Sequence, residues 1–207
     1  MIVLKFEKTG TAALVSHVDN LRAVTYILRR AGVDVEYSQG FNPHMELGFS
    51  SPIALGVESL AEYVSAKTDD TSDLLARLNA VCPQGIRFTK LFNADVNLAS
   101  TLNRATYKVV AEGIGELIGE ILQPMYAISY IEKGQWVTKT VRERIFSAEQ
   151  VDKDTALITL AIGNDNVRAD RLVAHLMRQH KLTGDYRITK LAAYVNDTDA
   201  DDYLTSL

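Results

Sequence analysis

"VDVEYSQGFNPHMELGFSSPIALGVESLAEYVSAK", Val33 to Lys67, is the stretch whose reading decides the fold. It stands between two segments of helical period and holds three alternating runs. Val33, Val35 and Tyr37 share one face, Met45, Leu47 and Phe49 share another, and "AEYVSAK" is the third run. Such alternation marks half-buried strands. Three of the twelve glycines and two of the four prolines fall between Tyr37 and Ser59, so the connections are rich in turn residues. Gly40 can take positive φ, and Pro43 fixes its own φ while pushing Asn42 toward extended geometry. "QGFNPH" therefore reads as a shaped loop that aims Asn42 and His44, and Gly56 lets a backbone or a phosphate approach closely.

Outward from this stretch the pattern is regular. Upstream, "IVLKFE" alternates as a strand, and "SHVDNLRAVTYILRRAG" is a helix with Val18, Leu21, Val24, Leu28 and Ala31 on one side. Ser16 with Asp19 makes a capping pair and Gly32 stops the helix. Downstream, "TSDLLARLNAVC" is a second helix capped by Thr71 or Ser72, and "IRFTKLF" is a strand.

The second half repeats the order: "ATYKVVAEG" as strand, "IGELIGEILQPM" as a helix broken by Pro124, and "YAISYIE" as strand. A Lys133-Gly134 turn leads to the alternating "QWVTKTVRERIF", then come "TALITLAIG", the helix "NVRADRLVAHLMRQH" with Asn166 near its cap, and "YRITKLAAYV". Two helices separated by hairpin strands define a split βαββαβ plan. The expected fold is α+β, two tandem ferredoxin-like units with antiparallel sheets, spanning 1–95 and 104–196, with a single mixed domain on one long sheet as the rival. Residues 197–207 form an acidic tail, expected to be frayed and solvated.

Charge and cysteine content narrow the function classes. The net charge is −4, and the tail carries four of the 26 acidic residues, which leaves a body with 22 of each sign. A neutral body argues against coating nucleic acid through bulk charge and leaves room for a local basic face. The single cysteine, Cys82, excludes an intrachain disulfide and any cysteine cluster for zinc or iron–sulfur. No run of about 18 apolar residues spans a bilayer, and "MIVLKFEKTG" is unlike a signal peptide. A cytoplasmic protein with no membrane, metal or cofactor requirement is expected.

Polar candidates fall into two groups. His17, Asp19, Asn42 and His44 can converge as a phosphate or metal site or as a general acid–base pair. Equally, His17 and Asp19 can simply cap the helix while "GFNPH" is a stiff turn. Arg168, Arg171, His175 and Arg178 follow i, i+3, i+7, i+10 spacing along the last helix. Like charges on one line suit an anionic partner, although Asp170 is near enough to soften the repulsion and a plain solvated face is the alternative; Arg142 and Arg144 are expected to project beside them from one strand face. The candidates for phosphate or RNA are thus Ser16, His17, Asp19, Arg22, Gln39, Asn42 and His44, with Arg168, Arg171, His175 and Arg178. The aromatics read as core, since no RNA-recognition aromatic motif occurs. Walker, GxGxxG, HExxH and GxSxG motifs are also missing.

The elements "SH-x-D", "LRRAG", "YSQGFNPH" and "LGVES-x-AEY", in that order, resemble the radical-SAM-associated domain of unknown function, in its free-standing form. That family usually has a proline after the histidine of "NPH", where Met45 stands here. The resemblance implies a companion of a radical SAM enzyme that is a separate chain; together with the shaped "YSQGFNPH" loop and the basic stripe on the last helix, it leads to an accessory or substrate-presenting protein, RNA- or tRNA-directed. The doubled plan is also similar to CRISPR repeat-processing endoribonucleases, which implies a metal-independent ribonuclease with His17 or His44 as general base. A ligand-binding or structural scaffold is the third possibility.

Overall fold

In the computed structural model, which describes all 207 residues, the apolar N-terminal run becomes a strand with neighbours on both edges. The protein is mixed α+β, with a mostly antiparallel sheet and few helices. It divides into two compact units, Met1–Leu102 together with Tyr194–Leu207, and Asn103–Ala193.

The first unit runs β1 (Ile2–Lys8), α1 (His17–Arg30), β2 (Leu47–Phe49), β3 (Glu58–Ala66), α2 (Leu74–Val81), β4 (Ile86–Asn93) and α3 (Leu98–Thr101). The strands lie in the order β4-β1-β3-β2, each pair antiparallel, with Leu4 opposite both Val64 and Leu91. Ile2, Leu4 and Phe6 of β1 meet Val24 and Leu28 of α1 and Leu74 and Leu78 of α2 in the core. The Phe6 and Phe88 rings close it at 5.5 Å between centroids.

The buried arc of α1 is Asn20, Val24, Ile27 and Leu28, turned relative to the expected stripe. Val18, about 120° from Val24 at 3.6 residues per turn, is exposed. Ser16 caps α1 as expected, accepting from the Asp19 N–H. Arg77 closes the other end, donating to Ala31 O and Gly32 O while gripping Asp70 at 2.7 Å. Helix α2 opens at Asp73, in left-handed conformation, rather than on a Thr71 or Ser72 cap.

"VDVEY" does not form a strand. Val33 and Val35 are buried, yet only Tyr37 pairs, in an isolated bridge to Met45. The Glu36 N–H instead donates to Lys67 O.

On α2, Asn79 replaces a strand neighbour for β4: its Nδ2 donates to Phe88 O at 2.8 Å and its Oδ1 accepts from Phe88 N at 2.9 Å. Asn79→Ala should therefore destabilise the protein by about 2 kcal/mol. The measurement is a lower urea midpoint at unchanged slope.

The second unit runs β5 (Arg104–Val110), α4 (Ile114–Leu117), β6 (Ala127–Glu132), β7 (Gln135–Thr140), β8 (Ile145–Gln150), β9 (Thr155–Ala161), α5 (Ala169–Gln179) and β10 (Arg187–Val195). The strands β10-β5-β9-β8 are neighbours in that order, and β6 with β7 forms a separate hairpin. Lys133 and Gly134 turn it with φ of 49° and 79°, the signature of a tight hairpin turn. "IGELIGEIL" is one short α-helix followed by a 3-10 turn, Ile118–Leu122. "VRERIF" breaks into a 3-10 turn at Arg142–Arg144 before β8. Helix α5 starts after Arg168, not at Asn166.

The acidic tail is a structured part of the first unit, contrary to expectation. β11 (Thr198–Asp199) pairs with Tyr194 and Val195 of β10, and α6 (Ala200–Thr205) buries Ala200 and Leu204. Asp201 is buried as well, accepting from Lys5 Nζ and Tyr63 OH at 2.7 Å each and lying 2.9 Å from Lys90 Nζ. A carboxylate with three donors tolerates burial that a bare one does not.

Candidate functional site

In the first unit the "YSQGFNPH" loop is clasped at its base. Below the Tyr37–Met45 bridge, the Ser38 N–H donates to His44 O at 2.8 Å, and the His44 N–H donates to Ser38 Oγ at 3.2 Å. Ser38 Oγ also lies 2.9 Å from His44 Nδ1. Met45 is buried beneath, while Gln39, Phe41, Asn42 and Pro43 are exposed at the tip. Phe41 is exposed over its whole surface. Gly40 does not adopt positive φ, so the clasp and Pro43 shape the loop.

His17 stands elsewhere on α1. It is the exposed first residue of the helix, whereas the loop meets the last turn, where Arg29 Nε donates to Tyr37 OH at 3.3 Å. Twelve residues separate His17 from Arg29, about 18 Å of helix at 1.5 Å per residue. No contact joins His17 to His44. Around His17, the Ser16 hydroxyl donates to Asp19 at 2.7 Å and Arg22 reaches Asp19 at 3.1 Å. The Ser16 hydroxyl is the main cause holding the Asp19 carboxyl below the usual range.

In the second unit, α5 lies against the β6–β7 hairpin, and the basic stripe binds that hairpin. Arg171 stacks 3.9 Å from the Tyr130 ring centroid and donates to Glu132 at 3.2 Å. Arg178 stands 4.8 Å from the Trp136 ring centroid and donates to Ser129 O. His175 Nδ1 accepts from the Ser129 N–H at 3.1 Å. Burial, then the Arg178 charge, lowers the His175 pKa and keeps the ring neutral. Arg168 pairs with Asp170 at 2.6 Å. The repulsion expected along the stripe is thus relieved within the chain, by two carboxylates and two aromatic faces. Arg178 alone among the three arginines has no carboxylate partner.

Arg142 and Arg144 do not project from a strand. Arg142 donates to Leu122 O and Ile145 O, and Arg144 pairs with Asp165 at 2.7 Å. Their backbone is a turn, so the alternation that would have aligned them does not apply.

Between α5 and the hairpin is an open hollow of about 420 Å³, walled by Trp136, Tyr130, Tyr186, Arg168, Arg171 and Arg178. A second hollow, of about 290 Å³, shares Tyr130, Arg168 and Arg171 with it and adds Lys139, Arg144 and Asn164. Trp136 and Tyr186 are exposed. Sequence reasoning assigned both to the core; the available signal was Trp136 on the same short hairpin as Tyr130, just past its turn. π faces and guanidinium groups in one open hollow suit a planar, anionic ligand.

The remaining features are structural. Burial pushes the Cys82 thiol up to about 11, so it stays protonated at neutral pH. No group of three or more His, Cys, Asp or Glu side chains is placed to hold a metal ion. No helix is long and apolar enough to cross a membrane.

Fold and site together define a mixed α+β protein bearing a clasped, exposed loop on one unit and an arginine–aromatic cleft on the other. The chain belongs to DUF2344, a family described as uncharacterized proteins conserved in bacteria, whose profile matches residues 1–174. No curated protein matches it.

Proposed function

We propose that this protein is a non-catalytic accessory of the cytoplasm that presents RNA, tRNA included, to a radical SAM enzyme on a separate chain. The observation that carries the RNA part is the cleft in which Arg171 and Arg178 stack on Tyr130 and Trp136. Single-strand binders use stacking platforms with nearby positive charge. The radical SAM part rests on the resemblance of the "SH-x-D" to "LGVES-x-AEY" elements. The strand orders β4-β1-β3-β2 and β10-β5-β9-β8 support reading both units as ferredoxin-like. A ribonuclease using His17 and His44 needs both imidazoles to reach one substrate; no contact between them favours it.

Trp136 is the only tryptophan, so its fluorescence reports directly on the cleft. Single-stranded RNA should quench it, with an affinity that falls as salt rises. Trp136→Ala should weaken binding about tenfold, measured by anisotropy of labelled RNA. The purified protein should also retain its cognate radical SAM enzyme in a pull-down. Failure to bind RNA at any salt, together with failure to retain that enzyme, removes the proposal.

A further inference from the structure

We infer that the cleft is a two-compartment site for one dinucleotide step of a single strand, an inference that rests on the RNA reading above. The two hollows, of about 420 and 290 Å³, lie on either side of one wall made by Tyr130, Arg168 and Arg171. Each is near the lower end of small-molecule sites, about 300 Å³ and upward, which fits one nucleotide apiece.

The chemistry of the compartments is complementary. The larger one offers the exposed Trp136 ring for stacking a base, with Tyr186 also lining it. The smaller offers Asn164 with donor and acceptor atoms for a base edge, and Asn166, whose Nδ2 donates to Gly163 O at 3.0 Å and whose Oδ1 can still accept. Lys139, exposed and without a carboxylate partner, stands at this second compartment.

The shared wall is where a bridging phosphate belongs. Arg168 spends two donors on Asp170, and Arg171 spends one on Glu132. A guanidinium carries five N–H donors, so both keep donors for a phosphodiester between the hollows. Asp170 and Glu132 also penalise an excess of negative charge at this point. The wall therefore favours a singly charged phosphodiester over a doubly charged terminal phosphate.

Isothermal titration of the full chain with adenosine 5′-monophosphate, the 5′-phosphorylated adenylate dinucleotide and a longer single-stranded oligoadenylate tests this. The dinucleotide should bind at least about tenfold more tightly than the mononucleotide, the scale of the charge-assisted and base-edge hydrogen bonds that the second compartment adds. Lys139→Ala should weaken binding of the dinucleotide more than that of the mononucleotide, whereas Trp136→Ala should weaken binding of both ligands. Circular dichroism and the urea midpoint of each variant establish that it is folded. Equal affinities for mononucleotide and dinucleotide overturn the two-compartment site, and if the longer strand still binds through Trp136 the RNA reading survives. Absence of binding by all three ligands sinks both.

Discussion

Replacing Asp201 with alanine should cost the protein about 3 kcal/mol, the scale for breaking a buried ion pair from one side. The carboxylate holds Lys5 Nζ, Lys90 Nζ and Tyr63 OH, and its side chain is 12% exposed. Lys5 is nearly as enclosed, at 16%, so truncation leaves its ammonium buried without an anion. Lys90 is about half exposed and simply returns to water. The cost should accordingly fall when Lys5→Met is combined with Asp201→Ala, because the orphaned charge is the main penalty. A loss under about 1 kcal/mol in urea titration, the range of a surface pair, would count against this account.

The same carboxylate sets an acid limit. Burial alone would raise its pKa, but the hydrogen bonds from Lys5, Lys90 and Tyr63 together outweigh burial and hold it below the usual aspartate value. A group with a depressed folded-state pKa contributes its full stability above the unfolded pKa, about 3.9. That contribution is lost as pH falls through the lower, folded value. Urea midpoints of wild type and Asp201→Asn should therefore differ most near neutrality and converge in acid.

Local periodicity made β1, α1 and the strand–helix order of both halves legible, because apolar spacing records which side of an element is buried. It records burial rather than pairing. Val33 and Val35 alternate and are buried, yet their backbone belongs to no ladder because the neighbouring Glu36 N–H finds Lys67 O instead. The tail was misread for a related reason. Its four aspartates suggest solvent, while the groups that make Asp201 tolerable lie at positions 5, 63 and 90, separations that no local window covers. The arginine spacing on α5 was legible, but its meaning was not. Tyr130, Glu132 and Trp136, which engage Arg171 and Arg178, come from a hairpin some forty residues upstream. His17 and His44 shared a motif in sequence without sharing a contact, since a fourteen-residue helix carries the chain away between them.

Gly115→Ala should be at least as damaging as the loss of Asp201, because three backbone oxygens crowd this position. A Cβ on Gly115 would lie 1.9 Å from Asp152 O, 2.9 Å from Lys153 O and 3.0 Å from Thr155 O. All three are backbone atoms, and the Gly115 N–H is itself bonded to Lys153 O at 2.9 Å. The turn between β8 and β9 and the start of α4 would both have to move, which places the cost at about 3 kcal/mol or more. Gly119, four residues on in the 3-10 turn, supplies the control, because a Cβ there meets nothing within 4 Å. Gly119→Ala should be neutral or slightly stabilising, since alanine restricts the unfolded chain more than glycine does. Trp136 fluorescence during urea unfolding reads the second unit directly. Equal midpoints for the two alanine variants would mean that the approach of α4 to the β8–β9 turn is looser than 1.9 Å implies.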